Sequence, residues 1–205
     1  VKGSLPATLV RIVAMRLYSW MRIYDDVDAF VTTCQFTKSK MIEYGIPPEK
    51  ITCIPTFTEV DSVKPCYENE GYILFLGRFH QQKGAIYAVK AMGRLKDLHI
   101  KLKITGDIDN SDECKNILNI IRETGIEDKV EFVGFQTGDN LKNLIDKSLC
   151  IVNPAIWYEN MPNTVIEAYA HGKPVIASNI GSLSEIVQDG TTGLLFPKKD
   201  DEALA

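Results

Sequence analysis

The sequence predicts an α/β fold, a mostly parallel sheet covered by helices on both faces. Three observations predict it. From Ala29 onward, short apolar or β-branched runs alternate with helix-period segments, the order that βαβ units produce. Six of those runs fall between Tyr72 and Phe196, enough strands for one complete doubly wound domain. The chain has 205 residues, 45% hydrophobic and 24% charged, so it can bury a core without disulfide or metal staples.

The elements follow in order. Between Ala7 and Tyr24, Leu9, Ile12, Val13, Leu17, Trp20, Met21 and Tyr24 recur at three- and four-residue steps, a helix with a wide apolar face. Lys2, Arg11, Arg16 and Arg22 make residues 1–24 basic, with no acid before Asp25. No small-residue cleavage site follows a compact apolar run, so it does not read as a signal peptide. AFVTT and KITCIP are two strands with a short helix between them. The polar stretch Thr56–Gly71 breaks the rhythm and reads as a linker. After it come the strands YILFLG, LKITG, KVEFVG, SLCIVNP, KPVIAS and GLLF, and DDEALA as the first turn of a further helix. The expected organisation is the tail of a first domain at residues 1–58, a linker at 59–71, and a Rossmann-like domain at 72–205, cut short in its last helix.

Composition excludes several classes. The net charge of −4 argues against a nucleic-acid partner. No apolar run approaches the roughly 18 residues of a membrane span. Cys34, Cys53, Cys66, Cys114 and Cys150 are odd in number and scattered, without a CxxC pair, which fits idle thiols in a reducing compartment. No internal repeat is visible.

The stretch Ser148–Ser178 concentrates the chemistry. A buried strand ends at Asn153–Pro154, a loop carries Trp157, Tyr158 and Glu159, and Pro162–Asn163 suits a helix start. That places a helix N-terminus beyond the carboxyl end of a parallel strand, where open α/β sheets bind ligands and free N–H groups favour phosphate. Glu159 and Glu167 flank that point with seven residues between them. Carboxylates beside a phosphate would repel it, so each makes sense gripping hydroxyls, one on a ribose and the other on a sugar. As plain residues they would be a loop and a solvated helix glutamate. In Tyr72–Met92 a strand runs into Gly77–Arg78, and Lys83–Gly84 opens a helix. Arg78 and Lys83 can hold two phosphates and stabilise a departing diphosphate; otherwise they are a surface arginine and a helix-start lysine. No GxGxxG occurs at either this turn or ITGDIDNSD, so a nicotinamide or flavin cofactor is unsupported.

The succession GRFHQQKG, ITGD, KVEFVGF, ENMPNTVIEA and KPVIASNIGSLSEIVQDGTTGLLF resembles the group 1 glycosyltransferases, glycosyltransferase family 4, retaining enzymes of GT-B fold. The resemblance runs from about Asp28 to the C-terminus and is strongest from Tyr72 to Pro197. It implies a glycosyltransferase that moves a sugar from a nucleotide-diphosphate sugar, UDP or GDP in kind, to a glycan or lipid-linked acceptor with retention. It implies catalytic roles for Arg78 and Lys83 at the diphosphate and for Glu159 at the transferred sugar. It implies donor binding by Gly77, by Asn163 and Thr164 through backbone N–H groups, by Phe135 and Gln136 against the base, and by Glu167 at the ribose. Asn153–Pro154 would underlie the donor, and Gly181–Glu185 would be mainly structural. The sequence departs from the family's pattern at Pro162, often glycine, at IPTFTEVD after the last strand of the first domain, and at GDIDNSD, which replaces a more glycine-rich turn.

The first domain of such an enzyme supplies the acceptor site and usually a histidine. His80, His99 and His171 do not match that place, so the fragment alone is expected to have low activity. His171 reads as a packing residue. Two Asp-x-Asp strings occur, Asp26–Asp28 and Asp107–Asp109. Such pairs can hold a divalent metal, but Arg78 and Lys83 already supply the positive charge it would bring; neither a metal nor a cofactor is expected. The basic helix near residues 7–24 either packs within the first domain, the favoured reading, or makes peripheral contact with an anionic membrane surface. The expected location is cytoplasmic, with the inner membrane face as the peripheral option. The competing functions are a donor-binding domain inactive on its own, another GT-B enzyme such as a sugar-nucleotide epimerase or a phosphorylase, and an oxidoreductase. A phosphorylase lacks an evident lysine for pyridoxal phosphate, and an oxidoreductase lacks the glycine fingerprint.

Overall fold

A computed structural model of the chain describes residues 4–58, 63–106, 108 and 111–205. The Asp107–Asp109 string lies outside the described residues. The chain divides into two compact units, Val1–Ile54 and Pro55–Ala205.

The first unit contains helix α1 (Leu5–Trp20), strand β1 (Phe30–Thr32), helix α2 (Gln35–Glu43) and strand β2 (Ile51–Cys53). The two strands pair in parallel, Phe30 opposite Ile51. Cys34 caps α2, its Sγ accepting from the Thr37 N–H. Lys50 donates to the carbonyls of Asp25 and Val27 at 2.7 and 2.8 Å, which holds the turn before β1. The periodic apolar residues of α1 are exposed, Trp20 by 80%. No helix among the described residues is long and apolar enough to cross a membrane.

The second unit is a six-stranded parallel sheet of β3 (Tyr72–Phe75), β4 (Lys101–Thr105), β5 (Val130–Gly134), β6 (Cys150–Asn153), β7 (Val175–Ser178) and β8 (Gly193–Phe196). All six match the runs read from the sequence. Their spatial order is β5-β4-β3-β6-β7-β8. The chain therefore winds outward from β3 in one direction, returns, and winds outward from β6 in the other, the Rossmann arrangement. The point of reversal lies between β3 and β6.

Helices α3 (Ala85–Arg94), α4 (Asp112–Thr124), α5 (Gly138–Asp146), α6 (Asn163–Ala170), α7 (Leu183–Ile186) and α8 (Asp201–Leu204) join or follow the strands. Successive strand residues point to opposite faces, and the core divides accordingly. Phe75, Leu102, Ile104 and Val152 pack with Val89, Met92 and Ile117 on the face covered by α3 and α4. Tyr72, Leu74, Ile151 and Val175 pack with Ile145, Val165 and Leu183 on the face covered by α5, α6 and α7. Burial of one such side chain contributes about 1.5–3 kcal/mol.

Residues 63–71 lie against the end of the sheet opposite the strand carboxyl ends. Cys66 N–H donates to the His171 carbonyl at 2.9 Å and Glu70 N–H to that of Lys147 at 2.8 Å. The buried Lys173 donates to the Glu68 carbonyl at 2.8 Å, which satisfies an ammonium that burial would otherwise penalise. Lys147 and Glu70 form an exposed pair at 2.7 Å. His171 is buried, with Nδ1 2.7 Å from Asp146 Oδ1. It stands at the C-terminal end of α6, outside the clefts described next.

Candidate active site

The site is built at the carboxyl ends of β3, β4 and β5 and on the loop between β6 and α6. After β3 the chain runs through Gly77–Arg78 into a short 3₁₀ turn, Gln81–Lys83. His80 Nδ1 accepts from the Gln82 N–H at 3.3 Å, so this turn is capped by its own side chain. The helix proper opens at Ala85, one residue after Gly84, which is in the left-handed region at φ 72°. A Cβ there would lie 1.9 Å from the Pro154 carbonyl oxygen. Glycine is thus required twice, by the backbone angle and by the approach of the β6 end. A backbone bond from Ile156 N–H to the Gln82 carbonyl, 3.0 Å, ties the same two loops together. At the other side of the turn, buried Thr105 donates to the Phe75 carbonyl and accepts from the Gly77 N–H, both at 3.2 Å.

These ties bring Lys83 and Glu159 together across 76 residues of sequence. Lys83 Nζ lies 2.7 Å from Glu159 Oε1, with the two side chains 35% and 20% exposed. The Glu159 carbonyl accepts from Ser182 Oγ at 2.8 Å, and Ser182 is fully buried. Arg78 pairs with no carboxylate among the described residues.

Two adjoining clefts open here. One, of about 600 Å³, is lined by Arg78, Phe79, His80, Gln82, Lys83, Gly106 and Phe135. The second, of about 180 Å³, has Gly77, Arg78, Phe135, Gln136, Thr164 and Glu167 on its walls. Arg78, Gly106 and Phe135 belong to both. Burial pushes the Glu167 carboxyl above its usual range, and the nearby His171 partly offsets this. Helix α6 begins at Asn163 after Pro162, and no side chain caps it, so the N–H groups of Asn163 and Thr164 lack intrahelical partners, while that of Val165 donates to the Pro162 carbonyl at 3.0 Å. Of the residues singled out from the sequence, Arg78, Lys83, Gly77, Phe135, Gln136, Thr164 and Glu167 line the clefts, and Glu159 joins them through Lys83. Asn163 is exposed at the helix start and lines neither cleft.

Sequence reasoning assigned no site role to Phe79, His80, Gln82 or Thr105. The first three stand in the same GRFHQQKG turn as Arg78 and Lys83, which was the available signal. Thr105 carried none, since a threonine ending a strand is ordinary. Among the described residues no three His, Cys, Asp or Glu side chains gather in a metal-binding group.

An open parallel sheet with polar and basic groups gathered at the switch point, the place where such sheets bind ligands, is an α/β domain of the Rossmann kind. The relatives narrow the class. The family described as "Glycosyl transferases group 1" matches residues 57–205, and the chain belongs to that family. An uncharacterized glycosyltransferase of Methanocaldococcus jannaschii is 36% identical over 136 residues, which is 65% of this chain and 34% of the relative. A sucrose-phosphate synthase from Thermosynechococcus elongatus superposes with a TM-score of 0.80 at 28% identity, over 93% of this chain and 50% of that one. Anabaena HepE, solved in complex with UDP and glucose, shares the fold with a TM-score of 0.76 at 19% identity, over 87% of this chain and 52% of its own. The architecture is that of GT-B glycosyltransferases. The chain spans about a third to a half of the length of the curated relatives it matches.

Proposed function

We propose that this chain carries the donor side of a retaining glycosyltransferase, which moves a sugar from a nucleotide-diphosphate sugar to a glycan or lipid-linked acceptor. The observation that carries the reading is the convergence at the β3–β6 switch point. Two cations, an uncapped helix start, an exposed aromatic ring and Glu167 surround adjoining clefts there, with Glu159 paired to Lys83. A diphosphate fits between Arg78, Lys83 and the α6 N-terminus, where fixed positive charge stabilises it as it leaves. Phe135, 71% exposed, offers its ring to a base. Glu167 sits where a ribose hydroxyl can donate to it, and Glu159 where the hydroxyls of the transferred sugar can. The structure of HepE with UDP and glucose supports a nucleotide sugar as the ligand class. In the retaining course, the incoming hydroxyl attacks from the face the diphosphate leaves, so Glu159 holds the sugar and is not the general base. The acceptor and the remaining donor contacts belong to the part of the relatives' length that this chain does not span, and transfer requires that part.

Thermal unfolding of the chain with UDP, GDP, ADP and their common sugar conjugates tests the reading, with Glu167→Ala as control. Stabilisation by one nucleotide series, lost in the variant, is the expected result. A folded chain that none of them stabilises refutes the donor assignment.

A further inference from the structure

The Lys83–Glu159 pair sets two groups of one site against each other. Lys83 is the cation offered to a diphosphate, yet its ammonium is engaged by a carboxylate 2.7 Å away. The contact is built in from three sides. The Ile156 N–H to Gln82 carbonyl bond joins the loop of Glu159 to the turn of Lys83. Gly84 lets the Pro154 carbonyl come into contact. Fully buried Ser182 holds the Glu159 carbonyl at 2.8 Å. A diphosphate entering the cleft must therefore share Lys83 with Glu159, and it meets the negative charge of that carboxylate.

A sugar-nucleotide and a bare nucleoside diphosphate differ in how they answer this. The sugar ester brings hydroxyl donors, and a carboxylate has acceptor capacity beyond one ammonium, so the sugar satisfies Glu159 while the diphosphate takes Lys83. The bare diphosphate brings no sugar hydroxyl to Glu159. Its terminal phosphate, no longer esterified, also ionises further near neutral pH, which increases its repulsion from Glu159. We infer that Glu159, held by Ser182, discriminates between the two and weakens binding of the bare nucleoside diphosphate product relative to the sugar-nucleotide donor, favouring product release. This rests on the donor-site reading above and extends it. Glu159 does this by direct electrostatics in the site; Ser182 is a positioning residue that acts through it.

The test uses the chain as it stands, with inorganic pyrophosphate as a probe that does not depend on the base. Calorimetric titration at neutral pH compares wild type with Glu159→Asp and Glu159→Gln. Partly exposed ion pairs of this kind amount to at most roughly a fivefold effect, so the Gln variant should bind pyrophosphate about threefold to fivefold more tightly. The Asp variant, whose carboxylate is drawn back by one methylene, should gain about twofold. UDP or GDP should tighten in the same order, while the matching glucose conjugate should weaken or stay unchanged. Ser182→Ala should shift pyrophosphate binding in the same direction as Glu159→Asp, and the buried wild-type hydroxyl, not the fold, is implicated if Ser182→Thr restores it. Equal or weaker pyrophosphate binding by both Glu159 variants overturns the inference, as does undetectable binding throughout. Failure of the donor-site reading has a different signature: no nucleotide stabilises the wild type, whatever the pyrophosphate order.

Discussion

Gly84→Ala, set against Gly125→Ala, measures how far one close approach holds the site together. Both glycines are left-handed, at φ 72° and 66°. An alanine in that region costs about 1–2 kcal/mol for the backbone angle alone. At Gly125, the residue ending α4, a Cβ meets nothing within 4 Å, so that is the whole effect. At Gly84 the Cβ would fall 1.9 Å from the Pro154 carbonyl oxygen, far inside contact, and the obstacle is backbone that cannot rotate away. The β3–α3 turn must then separate from the β6 end by more than an ångström. The Ile156–Gln82 bond, now 3.0 Å, would stretch beyond useful geometry, with a further loss of about 1 kcal/mol. Gly84→Ala should therefore lose about 2–3 kcal/mol, near 4–12 °C in melting temperature for a unit of this size, and Gly125→Ala about half of that. Urea denaturation supplies the stability. The nucleotide-induced shift in melting temperature supplies the function, and it should vanish in Gly84→Ala and persist in Gly125→Ala, because only the former moves the turn that carries Arg78 and Lys83 away from the loop beyond β6. Equal destabilisation by the two variants would refute the argument that the Pro154 contact matters.

Two further outcomes follow from the same structure. Burial raises the Glu167 carboxyl pKa in the folded chain, so the folded state holds that proton more tightly than the unfolded chain does. The group's favourable contribution is complete below the unfolded value of 4.5 and is lost as pH rises through the elevated folded value. Glu167→Gln should accordingly match or exceed wild-type stability at neutral pH, with the advantage fading on acidification. The same variant should weaken nucleotide binding, and both effects are read from melts across pH with and without ligand. Leu74→Ala, in the centre of β3 with no solvent exposure, should cost about 2–5 kcal/mol through lost burial and the cavity left behind, measured by urea unfolding.

Much of this architecture is legible in the sequence because it is local. Runs such as YILFLG and KPVIAS are short, apolar and bounded by breakers, and each forms a strand. The helix start after Pro162 and its end at Gly172 follow from the conformational limits of proline and glycine. Arg78, Lys83, Glu159 and Glu167 can be picked out because charged residues at strand ends point to a site in a parallel sheet. The sequence puts Lys83 at the opening of a helix, whereas it closes a 3₁₀ turn, since Gly84, left-handed at φ 72°, interrupts the helical backbone before Ala85. The buried partners Lys173 with Glu68 and His171 with Asp146 have no signature, because each pairing is made by residues far apart in the chain.

By itself, then, the sequence determined which segments are strands and helices, that the strands run parallel, and which side chains are chemically suited to a diphosphate and to hydroxyls. Those properties depend on periodicity, backbone limits and charge, all read within a few residues. Tertiary structure alone decided the order β5-β4-β3-β6-β7-β8, and with it that the turn after β3 and the loop after β6 are neighbours. It alone decided that Lys83 meets Glu159 and that Ser182 holds the latter in place. The physical reason is that strand order is chosen by the packing of both sheet faces at once, and contacts at the switch point exist only after that choice is made.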